Sequence, residues 1–444
     1  MAGIFKAYDI RGVYPTELNE DIARKIGAAF AQFIGKGTIV VGRDMRTSSL
    51  SLFQHLTAGL NDGGVDVIDI GLVTTPVITF CAGHYKYDAG IMVTASHNSK
   101  EYNGFKFSKK GAYPVSYETG IAEIEKKVLS HASKPKSHKK GKIYTKDVFD
   151  DYIQHVLTFL KKVKKLKVVV DAGNGMGGIL APKLFKFLPT CELIPMYFEL
   201  DGTFPHHDAN PLEPSNMLDL TKAVLKNKAD IGVAFDGDAD RVMFVDNEGK
   251  IVSADMTTTL IAREFLRHHP GETVLYDLRS SWTVKEEVEK MGGKAQMCRV
   301  GHAFIKQALR EAKGIFAGEL SGHYYFRDNF FADSAAIALV MMLNLISDEN
   351  RPLSELVRPI QRYFSTGEVN SHVKDPDAII EKIKKTYSQG KVSYLDGLSI
   401  ELDQWWFNLR KSNTEPLLRL NVEAKTSNLL DEKSKELLSI IRNS

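Results

Sequence analysis

Asp88-Ala-Gly-Ile-Met-Val-Thr-Ala-Ser-His-Asn98 is the stretch from which the fold of this chain is read. The run from Ala89 to Val93 is short and apolar, the pattern of a buried strand. It stops abruptly in Thr94-Ala-Ser-His-Asn98, a polar string with a hydroxyl, an imidazole and an amide. Loops just past the carboxyl ends of strands in open α/β sheets are where ligands usually bind. Ser96 beside His97 is therefore a candidate nucleophile. The competing reading is a Ser/Thr/Asn turn leading into a helix cap.

The same pattern recurs. Thr38–Asp44, Lys167–Gly175 and Thr273–Arg279 each read as a strand and turn, the first followed by a helical stretch at Ser48–Gly63. Each unit is followed by a second strand that delivers a polar loop. Ala89–Val93 ends in the serine loop, Asp230–Phe235 in Asp236-Gly-Asp-Ala-Asp-Arg241, and Gly314–Ala317 in Gly318-Glu-Leu-Ser-Gly-His323. This predicts one mixed α/β module used three times, with three equivalent loops facing a central cleft.

The end of the chain differs. Helical spacing at Pro376–Gln389, a hairpin signal at Asp396-Gly397, alternation along Leu418–Ala424 and an amphipathic Leu429–Arg442 predict a smaller α+β domain with an antiparallel sheet. On the alternation, Arg419, Asn421 and Glu423 face solvent. The expected domains are 1–145, 146–250, 251–365 and 366–444. The first boundary falls in the solvated linker Ser133–Lys142, whose five lysines have no interleaved aromatics.

Composition excludes several classes of function. A net charge of +3 over 444 residues asks for no nucleic-acid or membrane partner. Cys81, Cys191 and Cys298 form no metal-type pair and suit a reducing compartment. The N-terminus has no signal-like apolar region, and Ala335–Leu343 is too short to span a bilayer. The expectation is a cytoplasmic protein, a monomer or small homo-oligomer.

Asp236, Asp238 and Asp240 can turn toward one point only if their like charges are neutralised. A hard divalent cation does that, and Mg²⁺ fits because it keeps open positions for phosphate oxygens. A calcium EF-hand loop starting at Asp236 would need glutamate at its twelfth position, where Asn247 stands. Together the serine and aspartate loops predict phosphoryl transfer, a phosphoserine at Ser96 offering an oxygen to the metal and Arg241 adding positive charge. In the third loop Glu319 suits two adjacent sugar hydroxyls, with Ser321 and His323 able to donate or accept. Arg410-Lys-Ser-Asn-Thr-Glu-Pro416 has the composition of an anion nest, and equally of a hairpin turn.

Tyr8-Asp-Ile-Arg-Gly12, Thr94–Asn98 with Tyr102-Asn-Gly-Phe-Lys106, Asp236–Arg241, Gly318–His323 and Arg410–Pro416 together resemble the α-D-phosphohexomutases, most closely their phosphomannomutase/phosphoglucomutase branch. The resemblance implies four domains, phosphoserine at Ser96, Mg²⁺ on the three aspartates, and a hexose 1,6-bisphosphate that passes between mannose or glucose phosphates and also acts as activator. It implies that Glu319 and Ser321 contact sugar hydroxyls. Arg410, Ser412, Asn413 and Thr414 hold the phosphate that is not reacting. It places Tyr8, Arg11, His97, Lys106, Arg279, His302 and His323 along the cleft, with Lys106 and His97 as candidate acid and base.

Two departures stand out. Ser99 replaces a common proline, which predicts a less stiff serine loop, and Arg299-Val-Gly-His302 replaces a Lys-Thr-Gly-His string. Two rivals are phosphoglucosamine mutase, against which Ala7–Arg11 and Glu319–Ser321 argue, and a serine-dependent metallophosphatase, whose two-metal form needs more ligands than this cluster supplies.

Overall fold

A computed structural model of the chain describes residues 2–130, 139–411 and 417–443. Ser412, Asn413 and Thr414, and most of the expected linker, lie outside the described residues.

Three mixed sheets repeat one arrangement. In the first, the strands 89–93, 38–43, 66–72 and 143–145 run parallel, while 102–109 pairs antiparallel to 89–93 and in turn to 10–13. In the second, 231–235, 166–171 and 191–196 are parallel and 242–246 is antiparallel. In the third, 316–318, 273–277 and 294–298 are parallel and 324–326 is antiparallel. The innermost parallel strand always turns back through a polar loop into an antiparallel neighbour. Those three loops are the serine, aspartate and glutamate loops read from the sequence.

Local chemistry explains the elements around them. Helix Glu20–Ile34 starts where the Asn19 side chain accepts from the Ile22 N–H and stops at Gly35, whose φ of 84° only glycine adopts without strain. Helix Ala335–Glu349 has Ser334 as its cap, and every residue from Ala335 to Ile346 is buried. Among the described residues no helix is long and apolar enough to cross a membrane.

The C-terminal sheet is wholly antiparallel, in the order 364–372, 417–424, 405–411, 398–401, 391–393, with the helices Pro376–Thr386 and Ser427–Arg442 against it. The polar face of strand Leu417–Ala424 does not face solvent throughout, because Asn421 and Glu423 are both 2% exposed. The third domain covers the Glu423 end: Glu423 Oε1 accepts from the Trp282 backbone N–H at 3.0 Å and from Trp406 Nε1 at 2.9 Å.

Apolar burial is shared unevenly. One cluster runs from Val40 to Ile360 and joins all three mixed sheets, a second, from Ile4 to Val128, belongs to the first domain alone, and the C-terminal domain has its own, from Val373 to Ile441.

Candidate active site

Ser96 sits in the left-handed region at φ 53°, uncommon for a residue with a side chain and a mark of functional loops. Its N–H donates to Thr94 Oγ1 at 2.9 Å, and its hydroxyl donates to Asp236 Oδ2 at 2.7 Å. The His97 Nδ1 lies 3.3 Å from the same hydroxyl. The serine loop of the first sheet and the aspartate loop of the second thus meet directly. Gly237 lets them do so, since a Cβ there would come within 2.5 Å of the Ser96 carbonyl.

Oxygen atoms of Asp236, Asp238 and Asp240 lie within 4.8 Å of one another, all three residues buried. Asp236 Oδ1 accepts the backbone N–H groups of Asp240 and Arg241, both at 3.1 Å. Asp238 Oδ2 accepts from Thr75 Oγ1 at 2.5 Å and Lys106 Nζ at 2.8 Å, and Lys106 also reaches Asp240 Oδ2 at 2.5 Å. Asp238 Oδ1 is buried with no hydrogen-bond partner, and Asp240 Oδ1 has only His323 Nε2 at 3.2 Å, outside hydrogen-bond geometry. Buried carboxylate oxygens left unpaired are costly. An all-oxygen donor set with free lone pairs fits a hard divalent cation.

The charges shape one another. Burial, reinforced by Asp240 and Asp238, pushes the Asp236 carboxyl well above its ordinary range. Asp240 is held well below it: burial opposes, but Lys106 and His323 prevail. Lys106 is raised, burial being outweighed by the three carboxylates, so it is fully charged. Burial, then Arg241, Arg11 and Lys106, holds His97 well below the imidazole range, and burial does the same to His302. Both rings are neutral at pH 7. Arg241 Nε is 3.8 Å from Asp236 Oδ2 and has no hydrogen bond.

The glutamate loop joins through His323. Its Nδ1 is 2.9 Å from Ser321 Oγ and 3.6 Å from Glu319 Oε2, while Tyr325 donates to Glu319 at 2.7 Å. His302 stacks 6.3 Å from His323, and Tyr8 meets His302 edge-on at 5.4 Å. Arg11 is fixed between Asp9 and Asn98 of the serine loop, at 2.5 and 2.6 Å. From Glu319 a charge chain continues to Arg279 (3.6 Å), Glu368 (3.5 Å) and Arg410 (2.5 Å), carrying the site into the C-terminal domain.

Every candidate residue within the described part of the chain is therefore linked to the others through this network. Sequence reasoning missed Thr75, Glu368 and Asp277, whose carboxylate accepts the Leu320 N–H at 2.6 Å and three Arg279 nitrogens. It also missed Arg46, beneath the serine loop. Asp277 and Arg46 had a signal in the strand-end strings Asp277-Leu-Arg279 and Gly42-Arg-Asp-Met-Arg46; Thr75 reads only as a helix start.

Family comparison agrees in all four parts. The phosphoglucomutase/phosphomannomutase α/β/α domains I, II and III match residues 2–134, 150–249 and 253–363, and the C-terminal domain of the same family matches 368–438. The chain belongs to the phosphoglucomutase/phosphomannomutase family. It is 40% identical to phosphohexose mutases of Xanthomonas campestris pv. campestris over 99% of both chains. It is 39% identical to a phosphomannomutase of Escherichia coli K12 over 98% of both. The crystal structure of a phosphoglucomutase/phosphomannomutase family protein from Burkholderia thailandensis superposes with a TM-score of 0.91 at 34% identity, covering 99% of this chain and 97% of that one. The chain is thus an enzyme of a hexose-phosphate mutase family.

Proposed function

We propose that this enzyme reversibly moves a phosphoryl group between the 1- and 6-positions of a hexose, mannose or glucose phosphate, through phosphoserine at Ser96 and a hexose 1,6-bisphosphate. The observation that carries this reading is the Ser96 hydroxyl, 2.7 Å from Asp236 and beside two further buried carboxylates. Asp236, Asp238 and Asp240, with an oxygen of phosphorylated Ser96, would hold Mg²⁺, which when bound withdraws charge from the transferring group.

The chain's own residues supply the rest. The Ser96 Oγ–P bond breaks as a sugar oxygen bonds to phosphorus, and the hydroxyl proton passes to a neutral acceptor, His97 or a neighbour in its position. Lys106, charged in the resting site, protonates the departing oxygen, Ser96 Oγ in one direction and the sugar oxygen in the other, and regains its proton from the acceptor between the two transfers. Arg241 and Arg11 add positive charge near the transfer. Glu319, Ser321 and His323 orient the ring through its hydroxyls. Arg410 with Ser412, Asn413 and Thr414 holds the distal phosphate, while Tyr8, Arg279 and His302 line the path. The bisphosphate then turns end for end, and its other phosphate returns to Ser96. Burial excludes the water that would otherwise hydrolyse phosphoserine.

In this reading 1–145 carries the serine, 146–250 the metal, 251–365 the sugar contacts and 366–444 the distal phosphate clamp, and the work is done in the cytoplasm. The test is a panel of mannose, glucose and glucosamine 1-phosphates, with and without catalytic glucose 1,6-bisphosphate, followed for 6-phosphate and inorganic phosphate. Isomer formation that depends on the bisphosphate after dephosphorylation supports the cycle. Release of inorganic phosphate alone would make the protein a phosphatase.

A further inference from the structure

Four carbonyl oxygens of the serine loop point at a single guanidinium. Arg46 Nη2 donates to Ser96 O at 2.8 Å and Asn98 O at 2.5 Å; Nη1 donates to Ser99 O at 2.7 Å and Tyr102 O at 3.0 Å. Carbonyls gathered this closely repel one another and, buried, must be paired. A planar fork of fixed donors can hold them together, whereas a lysine ammonium offers three protons on one atom.

Arg46 itself is held in place. Its side chain and that of Asp44 are fully buried, with Arg46 Nε 3.3 Å from Asp44 Oδ2. Asp44 Oδ1 accepts from Ser49 Oγ at 2.5 Å and from the Arg46 N–H at 3.0 Å. The Phe204 ring of the second domain covers the guanidinium at 5.1 Å, and Gly202 lies so close that a Cβ would come within 2.6 Å of Arg46 Cα. Solvent and substrate do not reach it.

We propose that Arg46 is a positioning residue for the phosphoryl carrier: it fixes the Ser96 carbonyl while Thr94 fixes the Ser96 N–H, and so aims the hydroxyl at the aspartate loop. This rests on the reading of Ser96 as the carrier. It also supplies the stiffness that Ser99, standing in the place of proline, does not: the Ser99 carbonyl is one of the four that are held.

The test compares Arg46→Lys and Arg46→Met with wild type and Ser96→Ala, measuring kcat, KM, the rate of Ser96 phosphorylation by glucose 1,6-bisphosphate, and the unfolding midpoint. The expected result for a folded Arg46→Lys is a kcat about a hundredfold lower, KM within about threefold, and Ser96 phosphorylation slowed in parallel, the cost of misplacing a reacting atom by about 1 Å. The methionine variant is slower still. A folded lysine variant with kcat within about threefold of wild type overturns the proposal, as does a rise in KM matching the fall in kcat. If neither variant folds, hydrogen exchange of wild type decides. The amides of Asn98 and Tyr102 are expected to exchange only through global unfolding, and exchange at a free-loop rate overturns the proposal. Full turnover by Ser96→Ala sinks the underlying reading, while an inert Ser96→Ala beside an unimpaired Arg46→Lys sinks this inference alone.

Discussion

Ser96 and Asp236 are 140 positions apart in sequence and share one hydrogen bond of 2.7 Å between two domains. Ser96→Ala removes the proposed carrier, and turnover is expected to fall by about 10⁴-fold or more. Incubation with glucose 1,6-bisphosphate and intact-mass measurement should then show no phosphorylated protein. Undiminished isomerisation would end the phosphoserine reading.

In the proposed reading Asp238 and Asp240, each with a buried oxygen that accepts no hydrogen bond, hold a divalent metal. Chelation with EDTA is expected to abolish isomerisation and Mg²⁺ to restore it. In Asp238→Asn the Mg²⁺ concentration for half-activity should rise by at least about tenfold. Full activity of a metal-stripped preparation, checked by elemental analysis, would count against the assignment.

Gly237 gives the sharpest separation of activity from stability. A methyl group there meets the Ser96 carbonyl at 2.5 Å, so Gly237→Ala must push the two loops apart. The expected outcome is a kcat about a hundredfold lower with the unfolding midpoint little changed. Wild-type kcat would mean that the contact between the loops is not needed.

Arg310 ties the first domain to the third. It donates to the carbonyls of Gly111, Ala112 and Phe330 at 2.8, 3.0 and 2.5 Å, between the rings of Tyr113 and Phe331. Arg310→Met leaves three carbonyls without this donor and should destabilise the protein by about 2–4 kcal/mol. Denaturant unfolding measures this directly; a change below about 0.5 kcal/mol would contradict the role.

Glu423 makes docking of the C-terminal domain depend on pH. Burial raises its carboxyl above the ordinary glutamate range. The group therefore contributes fully below the unfolded-state value of about 4.3 and loses that contribution as pH rises through the folded-state value. Glu423→Gln keeps an acceptor for Trp282 and Trp406 without the charge. Between pH 4 and 7 its unfolding midpoint should show a smaller loss than that of wild type; identical profiles would refute the assignment.

The three strand-and-loop repeats were legible because each is contiguous: an apolar run predicts its strand, and the polar string after it predicts its loop. Asp236, Asp238 and Asp240 announce themselves by spacing. Thr75, Arg46 and Glu368 do not, since each acts on residues far off in sequence or through backbone carbonyls that carry no side-chain signature. Alternation misled at Glu423 for a related reason. A polar face predicts solvent, and periodicity within one strand cannot tell water from another domain.

The C-terminal domain keeps a reservoir of apolar burial of its own, which makes it a unit of cooperativity. The apolar clusters of the three mixed sheets share no residue with the one from Val373 to Ile441. Heat or a protease acting between them should therefore release a tail piece and leave a folded remainder, its serine and aspartates still together but, in the proposed reading, its grip on the far end of a sugar gone.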